Sequence, residues 1–189
     1  MKTTKLAFAV ALFTVASFSF AQEYQANTAK SSLKWTGKKI TGSHWGYINL
    51  KEGSFTVKSN KIVNGTFTID MNSMSNVDID NPDMREKLIG HLKSDDFFGV
   101  DKFPVATLVI TESSPFNSNV SKVKGKLTIK GITHPVSFDV TKNGNNYTST
   151  ITVDRSLYDV RYGSGKFFDN LGDNTIYDEF TLEVNIAAL

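Results

Sequence analysis

The sequence predicts an all-β fold, an eight-stranded antiparallel barrel with a short helical insertion between the third and fourth strands. Apolar and polar residues alternate in eight separate segments, which is typical of strands with one buried face. Turn-like links join the segments, and no long helical stretch separates them, so the sheet is expected to be antiparallel. Such a sheet closes most simply into a barrel, which removes its edges, although a two-sheet sandwich needs the same alternation.

Three strands are predicted before the insertion, at residues 31–37, 44–58 and 61–71. The second is long, and Gly46 and Gly53 are expected to bend it or to form bulges. A tight turn joins the second strand to the third, so these two strands form a hairpin. The inward residues by alternation are Leu33, Trp35, Phe55, Val57, Phe67, Ile69 and Met71.

The insertion begins with a helix start, Asn-Pro-Asp, at residues 81–83. The asparagine can cap the helix, the proline suits its first position, and the aspartate lies at the positive end of the helix dipole. An apolar stripe at spacings of four then predicts a helix lying across a barrel mouth. Its members are Met84, Leu88 and Leu92. Gly90 is expected to weaken or end this helix, and a second short turn would carry Phe97 and Phe98.

Five further strands follow the insertion. They are predicted at residues 103–111, 121–130, 136–140, 147–154 and 180–186. The first has apolar residues on both faces, so both faces are expected to be covered. An Asn-Gly turn links the third of these strands to the fourth as a hairpin. A polar, glycine-rich loop at residues 155–174 precedes the last strand.

The first 21 residues have the features of a signal peptide. They begin with lysines, continue with an apolar run shorter than the roughly 20 residues of a membrane-spanning helix, and end with small residues. We expect cleavage after Ala21, which leaves residues 22–189 as one domain. The protein is then exported to the periplasm or out of the cell, with no transmembrane segment in the mature chain.

Charge and cysteine content exclude several classes of function. The chain has 21 basic and 19 acidic residues, and two of the basic ones, Lys2 and Lys5, lie in the predicted leader. The remainder is balanced and its charges are interspersed, so no nucleic-acid-binding face is predicted. The absence of cysteine excludes disulfides and thiolate chemistry.

No catalytic or metal site is predicted from the titratable residues. His44, His91 and His134 are far apart in the sequence, and none has a second ligand at metal-binding spacing. Asp95 and Asp96 are adjacent on a predicted turn, so their side chains do not face a common substrate. Capping residues are therefore a better explanation than an acid-base pair. We therefore expect no metal and no cofactor other than a bound lipid.

The aromatic content, 14 Phe, 6 Tyr and 2 Trp, fits either an ordinary β-core or a lumen that is partly empty. If the lumen is partly empty, its predicted apolar lining is Trp35, Phe55, Phe67, Ile69, Leu127, Phe138, Ile151, Phe180 and Leu182, each inward by alternation. Phe97 and Phe98 would close one end. The candidates for contact with a polar head group are Arg85, His91, Arg155, Tyr158 and Arg161, together with the hydroxyl of Tyr162.

Three ordered blocks of sequence resemble the YceI-like family of exported lipid-binding proteins. They lie at residues 91–104, which include His-Leu-Lys-Ser and Lys-Phe-Pro, at 125–136 and at 155–160. The resemblance implies a lipocalin-like antiparallel barrel whose tunnel holds a polyisoprenoid or similar chain, without catalytic residues. Two positions differ: residues 30–31 are Lys-Ser where members often have His-Ser, and Gly90 replaces a frequent acidic residue. Polar contacts of those two groups are therefore not carried over to this chain.

The sequence as a whole predicts a carrier that sequesters one isoprenoid or fatty-chain amphiphile. Transient contact with a membrane or with a second copy of the chain would suit this role. Two alternatives stay open at this point. One is a lipid-acting enzyme on the same barrel with His91 as acid or base, and the other is a secreted interaction module with a fully packed core.

Overall fold

The structure, a computed structural model, describes residues 20–189. This part of the chain contains nine strands and one α-helix. They are β1 (Gln22–Gln25), β2 (Ser32–Lys39), β3 (Gly42–Lys58), β4 (Lys61–Asp70), α1 (Pro82–Lys93), β5 (Val105–Ser113), β6 (Val120–Ile129), β7 (Ile132–Asn143), β8 (Asn146–Asp154) and β9 (Ile176–Ala187). The predicted signal peptide, residues 1–21, lies outside the described residues except for its last two, and it stays a prediction.

The strands β2 to β9 form one closed antiparallel ring. Their order is β3-β2-β9-β8-β7-β6-β5-β4, and β4 pairs back with β3. Each strand of the ring is thus hydrogen-bonded to a neighbour on both sides, which a two-sheet sandwich would not allow. The predicted eight-stranded barrel with a helical insertion after its third strand is confirmed.

Strand β1 was not predicted. It pairs with Ser54–Val57 of β3, on the side where β2 pairs with the first part of β3, so β1 and β2 together fill one position in the ring. Beyond β1, Ala26 forms an isolated bridge with Ala188. The segment is too short for a periodic signal, because its one large apolar side chain is Tyr24, whose ring stacks on Phe55 at 5.1 Å.

Neither glycine of β3 lies at a bulge, and both allow close packing. The register shifts of the β3–β4 pair lie at 50–52 and 56–57. A Cβ atom on Gly46 would lie 1.9 Å from the carbonyl oxygen of Ser75, and one on Gly53 would lie 2.5 Å from the Phe67 ring. A side chain at Gly46 would therefore displace the segment that follows β4, which runs beside β3.

Helix α1 starts as predicted but is longer than predicted. The Asn81 side chain accepts a hydrogen bond from the Met84 N–H at 3.0 Å, which confirms the cap. The helix passes through Gly90 and ends at Lys93, with Ser94 as its C-cap, so Gly90 does not end it. No residue of α1 is buried, and Met84 of the predicted stripe is 55% exposed. The helix packs on the barrel through half-buried residues such as Ile89 and Leu92.

The prediction that β5 is covered on both faces is wrong. Val105 and Val109 are 37% and 41% exposed, whereas Ala106 and Ile110 on the opposite face are buried. The outer face of β5 belongs to the outside of the barrel, where no second layer of the described chain covers it. Apolar residues on the outer face of β5, such as Val105 and Val109, therefore do not indicate that this face is buried.

The connections divide the barrel into two ends. The helical end carries residues 40–41, 71–104, 130–131 and 155–175. The hairpin end carries residues 59–60, 114–119 and 144–145. Because α1 and the two long connections all lie at one end, that end forms the mouth of the barrel.

The seam between β7 and β8 is incomplete. These strands share only three residue pairs, from Thr141–Thr148 to Asn143–Asn146, next to the turn at the hairpin end. β7 pairs with β6 from Ile132 to Thr141, and β8 pairs with β9 along its whole length. The ring is therefore closed at the hairpin end of this seam and open toward the helical end.

Candidate functional site

Two adjacent cavities lie inside the barrel. The mouth cavity, at the helical end, has a volume of about 360 Å³, and the inner cavity, nearer the hairpin end, has a volume of about 80 Å³. Four residues line both of them: Leu33, Ile69, Leu127 and Leu182. The two cavities therefore meet at a ring of aliphatic side chains in the middle of the barrel.

The structure places all eleven predicted apolar residues on the walls of these cavities. The inner cavity is lined by Phe55, Phe67, Ile69, Leu127, Phe138, Ile151 and Leu182. The mouth cavity is lined by Trp35, Ile69, Phe97, Phe98, Leu127, Phe180 and Leu182. Alternation along each strand thus identified the inward face, and contact of these residues with a ligand stays a prediction.

Phe97 and Phe98 close part of the mouth from the segment after α1. Phe97 is 6% exposed, and the Phe98 ring meets the Phe180 ring edge to face at 6.3 Å. Gly99 follows in the left-handed region, with φ of 56°, which lets the chain turn back toward β5. The two rings are therefore fixed by a turn, as predicted, and Leu92 of α1 lies beside them on the cavity wall.

His91 is a polar group on the cavity wall with no hydrogen-bond partner. Its ring lies against Tyr162 at 4.4 Å and Phe97 at 5.3 Å, both edge to face. Among the hydrogen bonds of residues 20–189, none involves a ring nitrogen of His91. Its imidazole can therefore donate to or accept from a group that enters the mouth cavity.

Arg155 also lines the mouth cavity, but it is bound to groups of the protein itself. The side chain is 3% exposed and donates to the backbone carbonyls of Tyr177, Val160 and Ile176 at 3.2, 2.8 and 3.0 Å. It also forms an ion pair with Asp178 at 3.4 Å. Arg155 therefore joins the start of the 155–175 connection to its end.

The electrostatics of Arg155 follow from this position. Burial lowers the pKa of its guanidinium, and the negative charges of Asp178 and Asp154 oppose that change. The guanidinium also lies 5.5 Å from the centre of the Phe97 ring, in a cation–π contact. The cation is thus compensated from within the protein.

The other three head-group candidates line neither cavity. Arg85 donates to the carbonyl of Ile79 at 2.7 and 2.9 Å. Tyr158 is 1% exposed, with its ring against His134 at 5.3 Å, and Arg161 is an exposed partner of a neighbouring aspartate. The structure therefore brings His91 and Arg155 to the mouth cavity, and not these three.

Several residues of the mouth cavity were not selected from the sequence. They are Lys38, Lys39, His44, Ile48, Met74, Ala106, Ile129 and Tyr177, among others. The lysines stand at a strand end, where alternation gives no information about facing. Tyr162 and Tyr177 are 45% and 53% exposed and form part of an aromatic rim. Tyr162 was named from the sequence as a head-group candidate in the loop before the last strand. Tyr177 lies in β9, between the end of the predicted loop at residue 174 and the start of the predicted strand at residue 180, so neither pattern selected it.

A hydrogen-bonded carboxylate, that of Asp78, fixes the segment after β4 to β3. Asp78 accepts hydrogen bonds from the Trp45 N–H at 2.8 Å and from the Asn76 side chain at 2.6 Å, and pairs with His44 Nδ1 at 2.8 Å. Burial acts to raise the pKa of the Asp78 carboxyl, but these hydrogen bonds outweigh burial and lower it. The carboxylate is therefore the form that holds this side of the mouth together.

Asp154 plays a similar part at the end of β8. It accepts from Lys166 Nζ at 2.6 Å and from the backbone and hydroxyl of Ser156 at 2.9 and 2.6 Å. Burial acts to raise the pKa of the Asp154 carboxyl, and the bonds from Lys166 and Ser156 more than reverse that effect. Its ionised form thus anchors the start of the 155–175 connection.

These two carboxylates predict a loss of stability in acid. A carboxyl whose pKa is lowered by folding adds stability above the pKa of the unfolded chain, about 4, and loses it as pH falls through the folded-state pKa. We expect the free energy of unfolding to decrease as the pH is lowered below about 4. The double variant Asp78→Asn, Asp154→Asn should show a shallower fall over that range.

Urea unfolding at stepped pH measures this difference. Asp169→Asn is the matched control, because its exposed carboxylate takes part in none of the hydrogen bonds found between residues 20 and 189. An equally steep fall in the double variant and in the native chain would contradict the assignment.

Within residues 20–189, no group of three His, Asp or Glu side chains is placed to hold a metal ion. The same residues include no helix that is long and apolar enough to cross a membrane.

Comparison with known proteins agrees with this geometry. The chain matches the family model of the YceI-like domain over residues 24–188. It is 54% identical to a UPF0312 protein of Staphylococcus aureus (strain USA300) over 54 residues, which cover 29% of each protein. The match to that relative therefore spans less than a third of its length.

Two solved structures share the fold. BcnA of Burkholderia cenocepacia superposes with a TM-score of 0.63 at 24% identity, covering 85% of this chain and 98% of BcnA. A polyisoprenoid binding domain from Saccharophagus degradans, implicated in plant cell wall breakdown, superposes with a TM-score of 0.56 at 15% identity, covering 87% and 97%. Since the family model spans nearly all of the described residues, this chain belongs to the YceI-like family.

Proposed function

We propose that this protein is a non-catalytic carrier that encloses a polyisoprenoid or a similar long-chain amphiphilic lipid in its barrel. The observation that carries the proposal is the mouth cavity of about 360 Å³, which continues into an apolar inner cavity. Cavities that bind small molecules have volumes of about 300–1,000 Å³ and mostly apolar walls. The polyisoprenoid binding domain from Saccharophagus degradans, which has the same fold, supports this class of ligand.

Burial of the chain would provide most of the affinity. Each methylene removed from water contributes roughly 0.8 kcal/mol before the cost of ordering the ligand. The aliphatic ring where the cavities meet, together with the aromatic walls, offers apolar contact on all sides of such a chain. His91, whose ring nitrogens are uncommitted, is the residue we propose to contact the head group.

The surroundings of His91 favour binding over catalysis. A catalytic histidine is commonly oriented by a second polar group, but the side chains in contact with this ring are the aromatic rings of Phe97 and Tyr162. A cavity of this volume also differs from the fully packed core expected of an interaction module. The predicted leader supports a site of action outside the cytoplasm.

A bulky side chain at the junction of the two cavities should block uptake. Leu182→Trp fills space there, and we expect it to weaken binding of a prenyl alcohol such as farnesol about tenfold or more. The loss corresponds to about two methylene groups displaced from the cavity. Native mass spectrometry and tryptophan fluorescence titration of the delipidated protein measure it.

Glu183→Trp is the matched control, because Glu183 is the next residue on β9 and its side chain is exposed. It should bind farnesol as the native protein does. Organic extraction of protein purified from its own host tests the carrier directly. A folded native protein that yields no lipid and takes up no prenyl alcohol would contradict the proposed function.

A further inference from the structure

The open part of the β7–β8 seam leads into the cavity. Both strands continue from the last pair, Thr141–Thr148, toward the helical end, and no residue pair joins β7 to β8 over residues 132–140 and 149–154. Pro135 lies in this stretch of β7. Proline lacks a backbone N–H and is found within sheets only at free edges, strand starts or bulges, so its presence fits an unpaired edge.

Side-chain contacts limit the opening at its hairpin side and at its helical side. At the hairpin side, the Ser149 hydroxyl donates to the backbone carbonyl of Asp139 at 2.7 Å, in place of a backbone donor from β8. At the helical side, the buried Tyr158 ring packs against His134 of β7 at 5.3 Å. What remains between these contacts is a bounded gap in the wall, which we call the β7–β8 window.

The edges of the window are apolar and belong to the cavity. Val136 and Phe138 on β7, and Ile151 on β8, line the inner cavity. Their side chains face inward by alternation, yet Val136 and Phe138 are only half-buried, whereas the inward residues of the neighbouring β6 are buried.

The inner cavity also reaches a groove on the outside of the barrel at this seam. That groove is lined by Asp139, Thr141, Thr150 and other residues of the neighbouring strands. Thr148 and Ser149 line the groove and the inner cavity together. The wall is therefore one side chain thick beside the window.

We propose that the β7–β8 window is a second opening of the cavity, through which the tail of a long prenyl chain leaves the barrel while its head group stays at the mouth. The proposal rests on the proposed function. It adds that the cavity volume does not limit the length of the bound prenyl chain.

The volumes of the cavities support this route. An apolar cavity of about 150 Å³ holds one benzene molecule, so the mouth cavity of about 360 Å³ takes roughly a dozen carbon atoms. The inner cavity, at about 80 Å³, adds little to this. The two cavities therefore hold nearly all of a farnesol molecule. Solanesol has three times as many isoprene units, so part of its tail must lie outside the cavities.

A disulfide across the window tests the proposal, because the chain has no native cysteine. Continuing the register of Thr141–Thr148 places Ser137 opposite Thr152, so the variant is Ser137→Cys, Thr152→Cys. When oxidised, it should bind farnesol normally and solanesol about tenfold or more weakly, since part of the long tail loses its route. Reduction should restore solanesol binding.

The matched control is Lys124→Cys, Ser137→Cys, which links residues that are already paired across the β6–β7 seam. Oxidation of that variant should change neither ligand. Equal binding of solanesol by the oxidised and reduced window variants would overturn the proposal. Failure of the native protein to bind farnesol would instead reject the proposed function itself.

A second measurement does not need the disulfide to form. Solanesol with a photoreactive diazirine at its tail end is bound to the native protein, irradiated, and the adducts are located by mass spectrometry. Adducts on Ser137 or Thr152, which face outward by alternation, support the window. Adducts confined to Phe55 and Tyr147, at the hairpin end of the cavity, would overturn it.

Discussion

Arg155→Met is expected to lower the free energy of unfolding by about 3–5 kcal/mol, the range found when one partner of a buried ion pair is removed. The guanidinium is 3% exposed and serves three backbone carbonyls in the 155–177 region. Methionine keeps the length of the side chain but donates no hydrogen bond. Asp178, whose carboxyl is also largely buried, would lose its ionic partner.

Arg161→Met is the control for this change. Arg161 lies in the same connection, but its ion pair with Asp159 is exposed, so its removal should cost about 0–1 kcal/mol. Arg155→Lys should fall between the two variants, because an ammonium keeps the charge without the planar fork of donors. Urea unfolding at pH 7 compares them, and equal losses in Arg155→Met and Arg161→Met would contradict the role of Arg155 as the anchor of this connection.

The block at residues 155–160, which carries part of the family resemblance, is thus largely structural in this chain. Arg155, Tyr158 and Val160 are 3%, 1% and 0% exposed. These three residues hold the loop that forms one wall of the mouth cavity. The same loop forms the helical side of the β7–β8 window. A residue type that suits a head group, such as arginine, can instead be used to satisfy backbone carbonyls, and sequence alone does not separate these roles.

Local patterns were sufficient for the parts of the fold that depend on neighbouring residues. Alternation along each strand located the inward face, so Phe67 and Ile69, or Phe180 and Leu182, were placed on the cavity wall correctly. The cap at Asn81 was equally local, since its acceptor and donor are three residues apart. These features follow from side-chain period and backbone geometry within a few residues.

Contacts between distant segments could not be predicted in the same way. Gly46 is required by the carbonyl of Ser75, which is far along the chain and comes close only after folding. The short strand β1 is defined by β3 and by the ring of Phe55, and not by its own pattern. The gap between β7 and β8 is likewise a property of pairing, for which Pro135 was the one sequence signal.

Phe55→Ala is expected to lower the free energy of unfolding by about 3–5 kcal/mol, as other large-to-small changes of buried aromatic residues do. The ring is 3% exposed and contacts the rings of Tyr24, Tyr147 and Phe67 at 5.1, 4.7 and 6.2 Å. Its removal deletes aromatic contacts and leaves a space that the rigid strands cannot fill. Phe168→Ala, at a ring that is 49% exposed, should change stability by about 0.5 kcal/mol or less.

The same substitution separates the two cavities by their ligands. Phe55 lines the inner cavity and not the mouth cavity, so Phe55→Ala should leave farnesol affinity unchanged. Solanesol should bind more tightly, because the enlarged inner cavity removes more of its tail from water. Fluorescence titration of the folded variant with both alcohols measures this. A parallel loss of affinity for both alcohols would show that Phe55 supports the barrel as a whole. It would contradict a division of the lumen into a mouth cavity that binds both alcohols and an inner cavity that affects only the longer one.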